Sequence, residues 1–149
     1  MARPVPHALA DYPHRRDITT RWMDNDAYGH VNNVVYYSYF DTVVNDWLIR
    51  RGLLDVERGA LIGLVVETGC HYFEPLTYPE AVTAALRVAH VGNSSVRYEV
   101  GLFGEGRDRA AAQGHFVHVY VDRATRRPAP LPGRAREALA ALRVPGASP

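Results

Sequence analysis

The sequence predicts an α+β fold in which one strongly curved antiparallel sheet of about five strands wraps a long central helix. Three observations predict it. The stretch from about Val34 to Arg51 has helical spacing and is apolar nearly all round where it begins, so it needs cover on several sides. Four strand-like segments then follow in succession between residues 61 and 122, separated by short turns, which is the pattern of an antiparallel sheet. A further strand-like segment precedes the helix. Together these give the order strand, helix, four strands and a short closing helix, in one domain spanning 1–149.

Each element has its own signal. "RRDITTRW", 15–22, reads as the first strand. In the helix, Tyr36, Phe40, Val43 and Trp47 fall at i, i+4, i+7 and i+11, with Val35, Tyr37, Tyr39 and Val44 adding apolar surface, and Gly52 marks the stop. "LIGLVVETGCHYF", 61–73, is a long β-rich segment, and the prolines of "EPLTYPE" turn the chain. In 81–91, Val82, Ala84, Leu86 and Val88 share a face. In 96–103 Val96, Tyr98, Val100 and Leu102 do so, and in 110–122 Val117, Val119 and Val121. Pro128, Pro130 and Pro132 make a linker to a closing helix in "GRAREALAALR". Residues 1–14 and 144–149 read as irregular tails. A five-stranded sheet leaves edges to hide, which favours a homodimer, paired again into a homotetramer.

Composition narrows the function. All 17 basic residues are arginine and balance 16 acidic ones to a net charge of +1, so neither nucleic acid nor an anionic membrane is expected as a partner. No apolar leader or membrane-length run is visible, and Cys70 stands alone, which together lead to the expectation of a cytoplasmic protein without disulfides. A metal site is not expected. His115 and His118 are three apart on a strand and face opposite ways, and His71 and His90 lack partners at ligand spacing. Cys70 has only His71 beside it, which points away on a strand, and no Gly-Xaa-Ser-Xaa-Gly elbow exists.

The concentration of polar groups in "DNDAYGHVNN", 24–33, directly before the apolar helix, is the feature that points to chemistry. A helix start leaves N–H groups unpaired, which Asn32 or Asn33 can cap and which also attract negative charge. A carboxylate in a Gly29-containing loop beside such donors makes a minimal hydrolytic apparatus: the N–H groups hold an oxyanion, and the carboxylate attacks or activates water.

"DNDAYGHVNNVVYYSYFD" resembles the motif of the 4-hydroxybenzoyl-CoA thioesterase-like branch of hotdog-fold acyl-CoA thioesterases, and "YFEPLTYPEAV" and "VGNSSVRYEV" are similar to further segments of that family. The resemblance covers roughly residues 15–122. It implies a hotdog fold and hydrolysis of an acyl-CoA to a free acid and coenzyme A, with coenzyme A as part of the substrate and no separate cofactor. By position it implies Asp26 as the catalytic carboxylate and Asn33 as the residue whose backbone N–H polarises the carbonyl. His30 matches the histidine of the "HVNN" subgroup, and Asp41 an acid near the acyl group. Ser94, with Ser95 beside it, matches the turn at the pantetheine–nucleotide end. Asn93 stands where relatives often have a cation, so arginines near the turn, Arg87, Arg97, Arg123, Arg126 and Arg127, are expected to meet the phosphates. Asp24 reads as structural. An acyl-thioester binding protein, an acyl-carrier-protein thioesterase and a hotdog dehydratase are the competing readings.

Overall fold

The structure is a computed structural model and describes residues 3–144. Five strands, β1 (His14–Thr19), β2 (Leu61–Tyr72), β3 (Ala81–Val91), β4 (Ser95–Phe103) and β5 (Ala112–Asp122), form one antiparallel sheet in the order β1-β3-β4-β5-β2. Helix α1 (Val35–Arg50) supplies the core, and α2 (Gly133–Ala140) closes the chain. This is the curved sheet and helix of the hotdog fold.

Helix α1 buries Tyr36, Phe40, Val43 and Trp47, the residues whose spacing predicts the helix, with Tyr39, Val44 and Leu48 beside them. They pack on the inward residues of β3 and β4, Val82, Leu86, Val88, Tyr98, Val100 and Leu102. The helix ends where the sequence says it should. Gly52 takes φ +69°, and the Gly52 and Leu53 N–H groups donate back to the carbonyls of Ile49 and Leu48 at 3.0 and 2.8 Å, which satisfies two terminal acceptors.

Four expectations need adjustment. The first strand ends at Thr19, and Trp22–Asp24 form a 3-10 turn in which the Asp24 carboxylate accepts the Arg21 N–H at 2.9 Å. In β5 the face carrying Val117 and Val119 is the outer one; the core side is built from Phe116, His118 and Tyr120. The residue flanking α1 is Val34, which has no side-chain acceptor; Asn32 acts earlier, its Oδ1 taking the Val34 N–H at 2.9 Å. Finally, of the stretch expected as an amino-terminal tail, residues 1–2 lie outside the described residues, His14 begins β1, and the part between is a strap across the sheet face turned away from α1. Ala8 bridges Arg109, and Gln113 binds the His7 N–H at 2.7 Å and the Val5 carbonyl at 3.1 Å. Tyr12 is buried with Ala85, Phe103 and Ala110. The Arg87–Glu99 ion pair lies beneath it at 2.7 Å, with the guanidinium 5.0 Å from the Tyr12 ring centroid. A sheet with a helix on one face and apolar residues on both needs cover on the other, and the strap provides it. Of the carboxyl-terminal stretch, residues 145–149 lie outside the described residues.

The two free edges of the sheet differ. Strand β1 is six residues long. Strand β2 is twelve, carries a bulge between Val65 and Glu67, and exposes Leu64, Val65 and Val66 at 39, 47 and 60%. No helix among the described residues is long and apolar enough to cross a membrane.

Candidate active site

The polar loop before α1 is held by its own backbone. The Asp26 N–H donates to the His30 carbonyl at 2.9 Å, the Gly29 N–H to the Asp26 carbonyl at 3.1 Å, and the Tyr28 N–H to Asp26 Oδ1 at 2.9 Å. Gly29 closes the turn at φ +80°, a conformation in which a Cβ is costly. Two anchors tie the loop to the body: Val31 N–H to Leu76 carbonyl at 2.8 Å and Asn32 N–H to Asp24 carbonyl at 2.9 Å.

Asp24 is the internal post of this arrangement. It is 2% exposed and accepts the Tyr39 hydroxyl from α1 at 2.8 Å, with the Arg21 guanidinium 3.5 Å away. Burial and the neighbouring Asp24 carboxylate hold the Tyr39 phenol well above its ordinary range, so it serves as a donor. The two aspartates of the motif thus divide: Asp24 is structural, and Asp26 faces outward.

Asp26, His30 and Asn33 line one cleft of about 480 Å³, with Tyr28, Tyr36 and Tyr72 among its walls. A second opening of about 230 Å³, bordered by Trp22, Asn25 and Gly29, meets the first at Asp26. Trp22 beside this opening and Tyr28 beside the first are 81 and 88% exposed. Asp26 Oδ1 is engaged by the Tyr28 N–H. The His30 ring is exposed and makes no hydrogen bond among the described residues; the residue steadies the loop through its carbonyl. The Asn33 N–H likewise has no partner among the described residues, and Asn33 lines the same cleft as the Asp26 carboxylate.

The other sequence-assigned residues lie elsewhere in the chain. Asp41 is on the exposed side of α1, its carboxyl pushed up by partial burial, and does not line the cleft. Ser94 sits in the turn between β3 and β4 and Ser95 begins β4; the Ser94 carbonyl accepts the Tyr120 N–H at 2.7 Å and the Ser95 carbonyl the Gly92 N–H at 2.8 Å. Arg87 is consumed by Glu99, and Arg123 by the carbonyls of Gly59 and Val56 at 2.6 and 2.7 Å, so neither is free to meet phosphates. Arg136 of α2, which sequence spacing does not single out, donates to the Gly92 and Asn93 carbonyls at 2.8 Å and so joins α2 to that turn. Tyr72, the last residue of β2, is the other participant that the sequence does not advertise; its hydroxyl donates to the Asn33 carbonyl at 2.8 Å. Cys70 is half-buried, and burial pushes its thiol up to about 11, which keeps it protonated and weakly nucleophilic. Among the described residues no group of three or more His, Cys, Asp and Glu side chains could hold a metal ion.

Comparison with known proteins agrees with this fold. The profile of the thioesterase-like superfamily matches residues 20–141. The crystal structure of the PA5185 protein from Pseudomonas aeruginosa strain PAO1 is 53% identical, with a TM-score of 0.91 over 95% of this chain and 99% of that one. A thioesterase from Thermus thermophilus, solved with coenzyme A and Zn, is 32% identical, with a TM-score of 0.74 over 89% of this chain and 95% of that one. The DHNA-CoA thioesterase from Staphylococcus aureus shares the fold at 21% identity, with a TM-score of 0.76 over 85% and 87% of the two chains. No curated protein matches the sequence.

Proposed function

Because the chain belongs to the thioesterase-like superfamily and is a thioester hydrolase, we propose that it hydrolyses acyl-CoA to a carboxylic acid and coenzyme A, using Asp26 and the Asn33 N–H. The observation that carries this reading is the meeting of Asp26 and the unpaired Asn33 N–H in one open cleft at the start of α1. The thioester carbonyl accepts the Asn33 N–H, which strengthens its hold as negative charge grows on the oxygen. Asp26 uses the oxygen not engaged by Tyr28, either attacking the carbonyl carbon or taking a proton from water. His30, free at the rim, is within the same cleft to steady the leaving thiolate. The aromatic walls suit an apolar acyl group. The relative solved with coenzyme A supports the choice of carrier. The substrate's coenzyme A is the only non-protein group this chemistry needs.

The reading extends to assembly. A homodimer formed through the exposed apolar edge of β2, paired again into a tetramer, covers Leu64–Val66 and gives Asp41, Ser94 and Ser95 a partner's cleft to face. A thiol-release screen across short, long and aromatic acyl-CoAs tests the activity; no release from any of them would overturn it. A single turnover in ¹⁸O-water tests the role of Asp26: label in the protein shows attack by the carboxylate, with water opening the mixed anhydride at the Asp26 carbonyl, whereas base catalysis puts all of the label in the product acid.

A further inference from the structure

The Asn33 N–H is useful to a thioester only if it holds one direction. Hydrogen bonds to its own peptide unit and to the two beside it hold it. The Asn32 N–H is taken by the Asp24 carbonyl at 2.9 Å, and the Asn32 carbonyl by the Val35 N–H at 2.9 Å. In the next unit both ends are held. The Val34 N–H donates to Asn32 Oδ1 at 2.9 Å, and the Asn33 carbonyl accepts the Tyr72 hydroxyl at 2.8 Å. Among these groups only the Asn33 N–H is left without a partner in the described residues.

Of these clamps, only the one from Tyr72 comes from the sheet. The Tyr72 ring stands edge-on to Tyr36 of α1, centroids 4.9 Å apart and planes at 71°. Its own strand end is tied down by Arg3, which donates to the Tyr72 carbonyl at 3.1 Å and lies 5.7 Å from the Phe73 ring centroid. Resting on the proposed hydrolysis, we infer that Tyr72 is a positioning residue for that reaction: its hydroxyl fixes the Asn33–Val34 peptide plane, which is hinged at the Asn33 Cα to the plane carrying the Asn33 N–H, and so helps to hold that N–H toward the thioester carbonyl. Burial raises the Tyr72 phenol from its ordinary value, so the donor keeps its proton over the working pH range. Without the hydroxyl, the Asn33–Val34 plane can rock, and through the Asn33 torsions the donor's own plane is held less firmly toward the oxyanion.

The test is Tyr72→Phe, which keeps the ring, alongside Asn32→Ala, which frees the same peptide from its other side. Both are read by steady-state kinetics with the best acyl-CoA and by the infrared carbonyl stretch of a bound ketone analogue carrying methylene in place of the thioester sulfur. Each variant is expected to lose about 10- to 100-fold in kcat, with KM changed by no more than about twofold. The carbonyl stretch should move from its protein-bound frequency toward its value in water. Wild-type turnover with unchanged kcat in both variants would overturn the role of Tyr72 and leave the hydrolysis reading standing, as would loss of kcat with an unshifted carbonyl. Absence of wild-type turnover would overturn both. If Tyr72→Phe does not fold, Asn32→Ala carries the decision by the same two readouts.

Discussion

At the scale of single residues, the two loop aspartates give opposite expectations. Asp26→Asn keeps size and can still accept the Tyr28 N–H, but it removes both nucleophile and base. It is expected to melt like the wild type and to lose about 100-fold or more in kcat, measured by thiol release; near-native rates would move the chemistry elsewhere. His118 gives a pH expectation. Both its ring nitrogens are buried without partners, and burial lowers its pKa to about 4. Unfolded, the same imidazole titrates at its ordinary value of 6.5. The folded state therefore binds fewer protons, and the stabilising share of His118 is complete above pH 6.5. It falls away as the pH drops toward 4, on the order of 3 kcal/mol in all. Urea midpoints at about pH 7 and pH 5 should diverge in the wild type and diverge less in His118→Phe.

At the scale of elements, the loop and α1 form one unit because Asp24 spans them. The Asp24 carboxylate, accepting Tyr39 and the Arg21 N–H, is sealed from water. Asp24→Ala would leave both donors without their partner. It should cost about 2–4 kcal/mol of stability by chemical denaturation, with kcat falling less than in Asp26→Asn. This division shows what is legible in the sequence. The strands are readable because β-branched residues alternate on a pleat, and α1 because its apolar positions recur at helical spacing. The meeting of Asp26, His30 and Asn33 in one cleft is readable because groups placed at a helix start are local in sequence. Tyr72 is not, since its contact with Asn33 joins residues 39 positions apart through the folding of β2 onto α1. The strap reads as a tail because proline and alanine say nothing of a Tyr12 that finds its pocket only after β3, β4 and the Ala110 region have assembled. The outer face of β5 is ambiguous for a related reason: both faces of a strand covered on two sides carry apolar residues.

At the scale of the whole molecule, the unlike edges of the sheet give an expectation of how copies would meet. Strand β1 is short, whereas β2 offers unpaired backbone and three exposed apolar residues around a bulge. Sedimentation is expected to give a dimer or tetramer of the 16.6 kDa chain, and Val65→Lys at the edge should shift it toward monomer with lower specific activity. A stable, fully active monomer would remove the basis for that expectation.

Arg3 has a practical consequence. Its guanidinium rests on Phe73 and holds the Tyr72 carbonyl, so the start of the described chain leans on a wall of the reaction cleft. A polypeptide fused ahead of it is expected to disturb that contact more than one fused after α2. Amino-terminal tags should therefore depress turnover until they are cleaved off, and a library that varies residues 3–12 should tune rate without touching a single group in the cleft.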